Sequence, residues 1–98
     1  MKLTKTDIKA IEKLGWSVGI TDNGYYCLEN YSPAGGDMVI EEKSKEDILT
    51  YCRNYDPEEE FKLWYGANRG EPSNPGDLWE DCLQQGEMYD ALLKVLEK

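Results

Sequence analysis

The sequence predicts an α+β domain in which a three-stranded antiparallel meander lies between one N-terminal helix and a C-terminal helical half of three to four helices. Apolar residues recur at helical spacing before residue 15 and after residue 44, and from residue 16 they alternate as in strands. A chain of 98 residues suits one domain with one core. Residues 1–43, the helix and meander, and residues 44–98, the helical half, are therefore expected to form a single domain.

The first helix is predicted from the residues at its two ends. Thr4 can accept a hydrogen bond from the backbone three residues later, and Asp7 then lies in the first turn, where a carboxylate is favourable. Gly15 can adopt the left-handed conformation that ends many helices. The apolar stripe between these ends is Ile8, Ile11 and Leu14.

The meander is predicted from alternation and from turn residues. Trp16, Val18 and Ile20 share one face of the first strand. The sequence Asp22-Asn23-Gly24 is typical of a hairpin turn, so the next strand, residues 25–31, is expected to pair antiparallel with the first. A third strand is predicted over residues 38–42.

The segment NYSPAGGD, residues 30–37, lies between the second and third predicted strands. Glycine-rich segments that bind phosphate usually lead directly into a helix, whereas this one leads into Asp37 and a strand. We interpret it as a shaped turn, in which Pro33 restricts the backbone and the glycines relax it. Tyr31, Ser32 and Asp37 are expected to be exposed there and available to a partner.

The helical half is predicted from two start signals and one long seam. Ser44 is followed three residues later by an acid, and Asp56-Pro57 combines an N-cap acid with proline at the first helical position. The third helix is expected to direct Phe61, Trp64 and Tyr65 inward. Residues 66–76 are predicted to be a loop, and the last helix is predicted from residue 74 or 75, either continuous or with a break at Gly86. Its apolar seam is Leu78, Trp79, Cys82, Tyr89, Leu92, Leu93 and Leu96.

The charge balance restricts the class of partner. There are 20 acidic residues against 11 basic ones and no histidine, for a formal net charge of −9. Such a chain is repelled by DNA, RNA and anionic membranes, so direct binding to nucleic acid or to a membrane is not expected. A solvated acidic surface explains most such compositions, and a basic protein partner is the alternative.

The cysteines and the absence of a long apolar run indicate the compartment. Cys27, Cys52 and Cys82 are odd in number and widely spaced, so they predict reduced, mostly buried thiols without a disulfide or a zinc ion. No run of about 18 apolar residues is present to span a membrane. The cytoplasm is therefore the expected location.

Catalysis is not expected, and neither are metals or cofactors. Acid–base chemistry near neutral pH usually uses histidine, which is missing. Carboxylates are abundant, but those at residues 58–60 and at Asp77, Glu80 and Asp81 lie at predicted helix starts, where the helix dipole alone favours them. No catalytic residue, metal ligand or cofactor-binding residue is assigned.

Two motifs are shared with a known group of proteins. The segments NYSPAG, residues 30–35, and YDPEE, residues 55–59, followed by Trp64, resemble those of a family of small acidic proteins encoded by phages, plasmids and conjugative elements of gut Firmicutes. The resemblance covers roughly residues 25–98. It implies a mobile-element context, and hence the cytoplasm of a bacterial host, but no catalytic residues. Here Gly36 replaces the acid that usually follows Pro-Ala-Gly.

The acidity and this resemblance together predict an accessory protein that inhibits a basic host protein, such as a nuclease or nucleic-acid-binding effector, by imitating DNA in the manner of anti-CRISPR and antirestriction proteins. The alternative is a non-inhibitory binding module or regulator in the replication or transfer complexes of the element, and a carboxylate-based enzyme is the third hypothesis. The oligomeric state is left open. The candidate partner-binding residues are Asp56, Glu58, Glu59, Asp77, Glu80, Asp81, Tyr31, Ser32 and Asp37.

Overall fold

The computed structural model describes residues 2–67 and 75–97 and has the predicted α+β architecture. A three-stranded antiparallel sheet of order β1-β2-β3 follows one helix and precedes three more in these ranges. The elements are α1 (Lys5–Lys13), β1 (Ser17–Ile20), β2 (Tyr26–Tyr31), β3 (Asp37–Glu42), α2 (Lys45–Asn54), α3 (Pro57–Ala67) and α4 (Pro75–Leu96).

The predicted ends of α1 are confirmed. The Asp7 backbone N–H donates to Thr4 Oγ1 at 3.0 Å, and the Thr4 N–H donates to Asp7 Oδ2 at 3.0 Å, which completes a capping box. After the helix, Gly15 has a φ of 99°, a conformation that favours glycine. The local signals in the sequence therefore define this helix at both ends.

The sheet directs one face toward the helices. Val18 pairs with Leu28 and Leu28 pairs with Ile40, so these side chains share the covered face. Gly24, with a φ of 82°, forms the hairpin turn as predicted. Ile20 belongs to the same face, but it is the last residue of the edge strand β1, and its side chain is 70% exposed.

The core lies between the covered face of the sheet and helices α1, α2 and α4. Its fully buried side chains include Ile11, Leu28, Ile40, Ile48, Leu92 and Cys82. The structure decides the question left open at Gly86, since α4 runs without interruption from Pro75 to Leu96. A Cβ atom at Gly86 would lie 3.4 Å from Cε2 of Tyr55, so the glycine allows this ring to approach the helix.

The orientation predicted for α3 is also wrong. Trp64 and Tyr65 are 41% and 40% exposed, Trp79 of α4 is exposed as well, and only Phe61 is half-buried. Among the described elements α3 packs on α4 alone, so one narrow strip of its surface is covered. The loop predicted at residues 66–76 is shortened at both ends, because α3 extends to Ala67 and α4 begins at Pro75. Residues 68–74 of this predicted loop lie outside the described ranges.

One ion pair joins the starts of α1 and α2 and predicts a pH dependence of stability. Lys45 Nζ lies 3.1 Å from Asp7 Oδ2, and both side chains are largely buried. Burial raises the pKa of Asp7, but the hydrogen bonds from the Thr4 backbone and from Lys45 outweigh it and leave the pKa below its usual value. A carboxyl group with a lowered folded-state pKa stabilises the fold above its unfolded pKa of about 3.9, and this contribution is lost as the pH falls through the folded value.

We therefore expect Asp7→Asn to lower the free energy of unfolding at pH 7 by about 2 kcal/mol, because the capping box and the ion pair are both weakened. The difference from wild type should begin to shrink below about pH 4, where Asp7 of the unfolded wild type binds a proton while the folded state still resists it. Urea unfolding of both proteins from pH 7 to pH 3 measures it. A difference that stays constant over this range would show that the charge of Asp7 is not responsible.

Candidate functional site

An open groove of about 440 Å³ lies between α2 and α3, beside the end of β3. Each helix contributes one stripe of side chains at i, i+3, i+4 and i+7. Glu42 closes one side, and Tyr55 lies at the corner between the helices. The two stripes are Asp47, Thr50, Tyr51 and Asn54 from α2, and Asp56, Glu59, Glu60 and Leu63 from the start of α3 onward. We call this site the acidic groove.

The acidic groove carries charge of one sign. Its lining residues include five carboxylates, and none of the lining residues that the structure describes is a lysine or an arginine. Clefts lined by charge of one sign concentrate the electrostatic field and attract ligands of opposite charge. The groove is therefore suited to cationic groups. Its carboxylates are Glu42, Asp47, Asp56, Glu59 and Glu60.

Tyr55 fixes the angle between the two helices that form the groove. Its hydroxyl donates to the backbone carbonyl of Cys82 in α4 at 2.7 Å. Its ring lies 4.7 Å from the ring of Tyr89, also in α4, and beside Gly86. Burial raises the pKa of Tyr55, so this hydroxyl stays protonated and remains a donor. The corner at which α2 ends and α3 begins is thus attached to the longest helix.

Three of the five carboxylates also have structural roles. The Asp47 carboxylate accepts from Ser44 Oγ at 3.1 Å in the cap of α2, where the Asp47 backbone N–H donates to the same oxygen at 3.2 Å. Asp56 Oδ1 accepts from the Glu58 backbone N–H at 3.0 Å, and Glu60 accepts from Trp64 Nε1 at 2.8 Å.

The other two carboxylates of the groove, Glu42 and Glu59, differ in this respect. Within residues 2–67 and 75–97, their side chains have no hydrogen-bond or ion-pair partner. These two carboxylates can therefore be changed with the least effect on the fold.

The structure places only part of the predicted helix-start set in the acidic groove. Asp56 and Glu59 line it, whereas Glu58 lies on another side of α3, next to Phe61. Glu80 is exposed on α4. Asp77 belongs to α4, but its side chain lies outside the described part of the chain.

Asp81 and Ser32, two of the candidate partner-binding residues, are buried, and the exposure predicted for Ser32 is wrong. Asp81, 8% exposed, accepts from the Ala34 backbone N–H at 2.9 Å and from Gln85 Nε2 at 3.0 Å. Ser32, 4% exposed, accepts from the Gly36 N–H at 3.0 Å. The turn between β2 and β3 is thus stabilised by its own hydroxyl group and by a carboxylate from α4. The interpretation of the segment as a shaped turn agrees with these bonds.

Tyr31 and Asp37 are exposed on the face of the sheet opposite the helices. They line a shallow depression of about 430 Å³ together with Glu29 and Val39. Glu42 faces the helices instead, since it lies an odd number of residues from Asp37 along β3. The two predicted sets of partner-binding residues therefore do not form one surface.

Sequence reasoning missed Glu42, Asp47 and Glu60 as members of the site. A signal for the two helical acids was present, because polar residues recur at helical spacing on both sides of Tyr55. The pattern alone does not show that the two stripes face each other across a groove. That depends on the angle between α2 and α3 at Tyr55, which is set by contacts with residues 27 or more positions away.

The thiols offer little chemistry near neutral pH. All three cysteines are free. Burial raises the pKa of Cys52 to about 12 and that of Cys82 to about 11, so both stay protonated. Cys27 is half-buried, and burial together with Glu29 and Glu41 raises its pKa as well. Thiolate nucleophiles are therefore scarce at neutral pH.

In the described ranges, no group of three or more potential metal ligands is arranged to hold an ion. None of the helices in these ranges is both long enough and apolar enough to cross a membrane. Comparison of the chain with models of protein families, with curated proteins and with solved structures finds no match.

Proposed function

We propose that this protein is a non-catalytic inhibitor that binds a nucleic-acid-binding protein through the acidic groove. The carboxylates of the groove would occupy the basic surface on which the partner otherwise holds phosphates. The observation that supports this most directly is the set of five carboxylates in one groove without a lysine or arginine among its described lining residues. Surfaces of complementary charge steer association and select partners.

The chemistry of the groove favours a protein as the partner. Nucleic acids and anionic membranes carry the same sign of charge as the groove and as the whole chain, at −9. Tyr51 and Leu63 add apolar surface between the acids. Arginine side chains match this mixture, because the guanidinium group pairs with carboxylates and also stacks on aromatic rings.

The motifs at residues 30–35 and 55–59 support a mobile-element context for the proposed inhibitor. In that context the partner would be a host defence nuclease or effector, of the kind that anti-CRISPR and antirestriction proteins inhibit. A host protein of this kind carries a basic channel for DNA or RNA, and the acidic groove would compete with the nucleic acid for that channel.

Capture and competition test the proposal. The immobilised protein is exposed to a lysate of the bacterium that encodes it, and retained proteins are identified by mass spectrometry. We expect a basic nucleic-acid-binding protein that is released by added duplex DNA or by raising the salt from 0.05 to about 0.5 M, since screening weakens charge pairing. Retention of a protein without a nucleic-acid-binding surface, or capture that neither DNA nor salt reverses, would contradict the proposal. A retained DNA-binding protein that keeps its full activity when bound would replace inhibition by regulation.

A further inference from the structure

The outer face of α1 carries charge of the opposite sign to the rest of the chain. Lys5, Lys9 and Lys13 follow one another at intervals of four residues, so they share one side of the helix, and all three are exposed. Within residues 2–67 and 75–97, none of these three side chains has a hydrogen-bond or ion-pair partner. The first 13 residues hold four of the 11 basic residues and only two of the 20 acids. Positive charge is thus concentrated on one helix of a chain whose net charge is −9.

A cleft of about 380 Å³ lies along this face, where α1 meets the end of α4. Lys9 and Lys13 line it, and no acid is among the lining residues that the structure describes. Leu14 and Val95 add apolar surface beside the two lysines. We call this site the basic cleft. Its lining residues are Thr6, Lys9, Ala10, Lys13, Leu14 and Val95.

The basic cleft and the acidic groove are complementary. The groove has five carboxylates and neither lysine nor arginine among its described lining residues, whereas the cleft has two lysines and no acid among its own. Both sites also carry apolar side chains beside the charges, Tyr51 and Leu63 in the groove and Leu14 and Val95 in the cleft. A helix that carries charged and apolar side chains on one face is a common occupant of such a groove.

The two sites lie on different sides of the fold. The helix α1 packs on α4 and on β1, at one edge of the sheet, whereas α2 packs on α4 and on β3, at the opposite edge. The pair of Asp7 and Lys45 joins the starts of α1 and α2, but Lys9 and Lys13 lie further along α1. The lysines that would fill the groove are therefore those of another copy.

We infer that the basic cleft of one copy docks into the acidic groove of a second copy, so that the protein associates with itself head to tail. Such a contact uses two different surfaces, so each pair of copies keeps one free groove and one free cleft and can add further copies. A docked groove is closed to a nucleic-acid-binding partner, so self-association limits the number of active copies. This inference rests on the proposed function only in using the same groove as the binding surface.

The net charge of −9 selects the orientation of the contact. At 0.15 M salt, charges further apart than about 8 Å are largely screened, whereas the lysines of the cleft would meet carboxylates at contact distance. A symmetrical arrangement would place groove against groove or cleft against cleft, with like charges together. The head-to-tail arrangement avoids both.

Light scattering and sedimentation equilibrium of the wild type give the first test. At about 0.1 M salt we expect the mean mass to rise with protein concentration up to about 1 mM, and to return to that of the monomer at about 0.5 M salt. Amide chemical shifts recorded over the same concentrations should change in α1 and in the stripes of α2 and α3 that line the groove. A mass that stays monomeric at about 1 mM, or shift changes confined to the sheet, would overturn the inference.

Two double variants test which surfaces meet. Lys9→Glu with Lys13→Glu, the lysine pair, reverses the charge of the basic cleft, and Glu42→Lys with Glu59→Lys, the groove pair, changes the acidic groove. Each variant alone should associate with itself at least about tenfold more weakly than wild type. An equimolar mixture should associate again, because the lysine pair keeps an intact groove and the groove pair keeps an intact cleft. Both variants remain negatively charged, so net charge does not draw them together.

A matched control is Lys43→Glu with Lys62→Glu, which changes the net charge as the lysine pair does at two exposed residues outside both sites. Its self-association should stay within about threefold of wild type. Circular dichroism establishes that all three variants are folded. A mixture of the lysine and groove pairs that stays monomeric, or a folded lysine pair that associates like wild type, would overturn the inference.

The outcome is separable from the proposed function. The lysine pair keeps the groove, so it should bind the captured nucleic-acid-binding partner at least as tightly as wild type. Partner binding by a protein that stays monomeric would refute self-association and leave the proposed function. Self-association that follows the expected pattern, together with capture of a partner that binds no nucleic acid, would refute the function and leave the head-to-tail contact.

Discussion

Tyr55→Ala is expected to lower the free energy of unfolding by about 3 kcal/mol, a large effect for a half-buried residue. The ring packs on Tyr89 with centroids 4.7 Å apart and fills the space that Gly86 leaves beside α4. Its hydroxyl satisfies the carbonyl of Cys82 at 2.7 Å. Alanine removes both interactions and opens a cavity at the corner between α2 and α3.

The matched variant Tyr55→Phe separates the ring from the hydroxyl. It keeps the packing on Tyr89 and loses one hydrogen bond, so a cost of about 1 kcal/mol is expected. Guanidinium unfolding of wild type and both variants gives the three free energies. If alanine and phenylalanine cost the same, the ring does not hold the corner, and the groove geometry must be maintained by other contacts.

The parts of the fold that the sequence predicts well are those with local causes. The capping box of Thr4 and Asp7 and the positive φ of Gly15 and Gly24 depend on neighbours a few residues away. Alternation then defines the covered face of the sheet, since Leu28 and Ile40 are both buried. Only Ile20 departs from the pattern, because it lies at the end of an edge strand.

The orientation of α3 could not be predicted in this way. Helical spacing shows that Phe61, Trp64 and Tyr65 can share a side of the helix, but it does not show how much of that side another element covers. The answer depends on the packing of α3, which within residues 2–67 and 75–97 contacts α4 alone. The same reasoning applies to Gly86, which suggests a helix break in the sequence but instead provides space for a ring from a distant residue.

Only the members of the candidate site that have a local cause could be predicted from the sequence. Asp56 and Glu59 could be predicted because helix starts favour acids, and both line the groove. Asp81 was assigned by the same rule, but it is the seventh residue of α4, beyond the first turn, and it is buried because the turn after β2 needs an acceptor for its Ala34 N–H. Alternation along β3 places Glu42 on the covered face with Ile40, but its proximity to α2 and α3 depends on how these helices pack, which the sequence pattern does not reveal.

Reversing the two carboxylates without structural partners should abolish most partner binding. Glu42→Lys with Glu59→Lys puts two cations into the acidic groove and leaves the caps at Asp47 and Asp56 unchanged. Replacing attraction by repulsion at two positions should cost several kcal/mol, or roughly a hundredfold or more in affinity. The effect should be largest at low salt, where charges are least screened.

A control pair isolates position from net charge. Glu12→Lys with Glu41→Lys changes the net charge by the same amount, at two exposed residues away from the groove. Glu41 is the chain neighbour of Glu42 and points to the other face of β3, so the two pairs differ chiefly in where the charge lies. Circular dichroism and thermal unfolding establish that both pairs are folded.

The affinity of these two double variants for the captured nucleic-acid-binding partner, measured at low salt beside wild type, tests the proposed inhibitor function most directly. We expect the groove pair, the variant with Glu42→Lys and Glu59→Lys, to bind about a hundredfold more weakly than wild type. The affinity of the control pair, the variant with Glu12→Lys and Glu41→Lys, should stay within about threefold of wild type. Equal losses in both pairs would show that net charge alone governs binding. A folded groove pair with wild-type affinity would show that the acidic groove is not the binding surface.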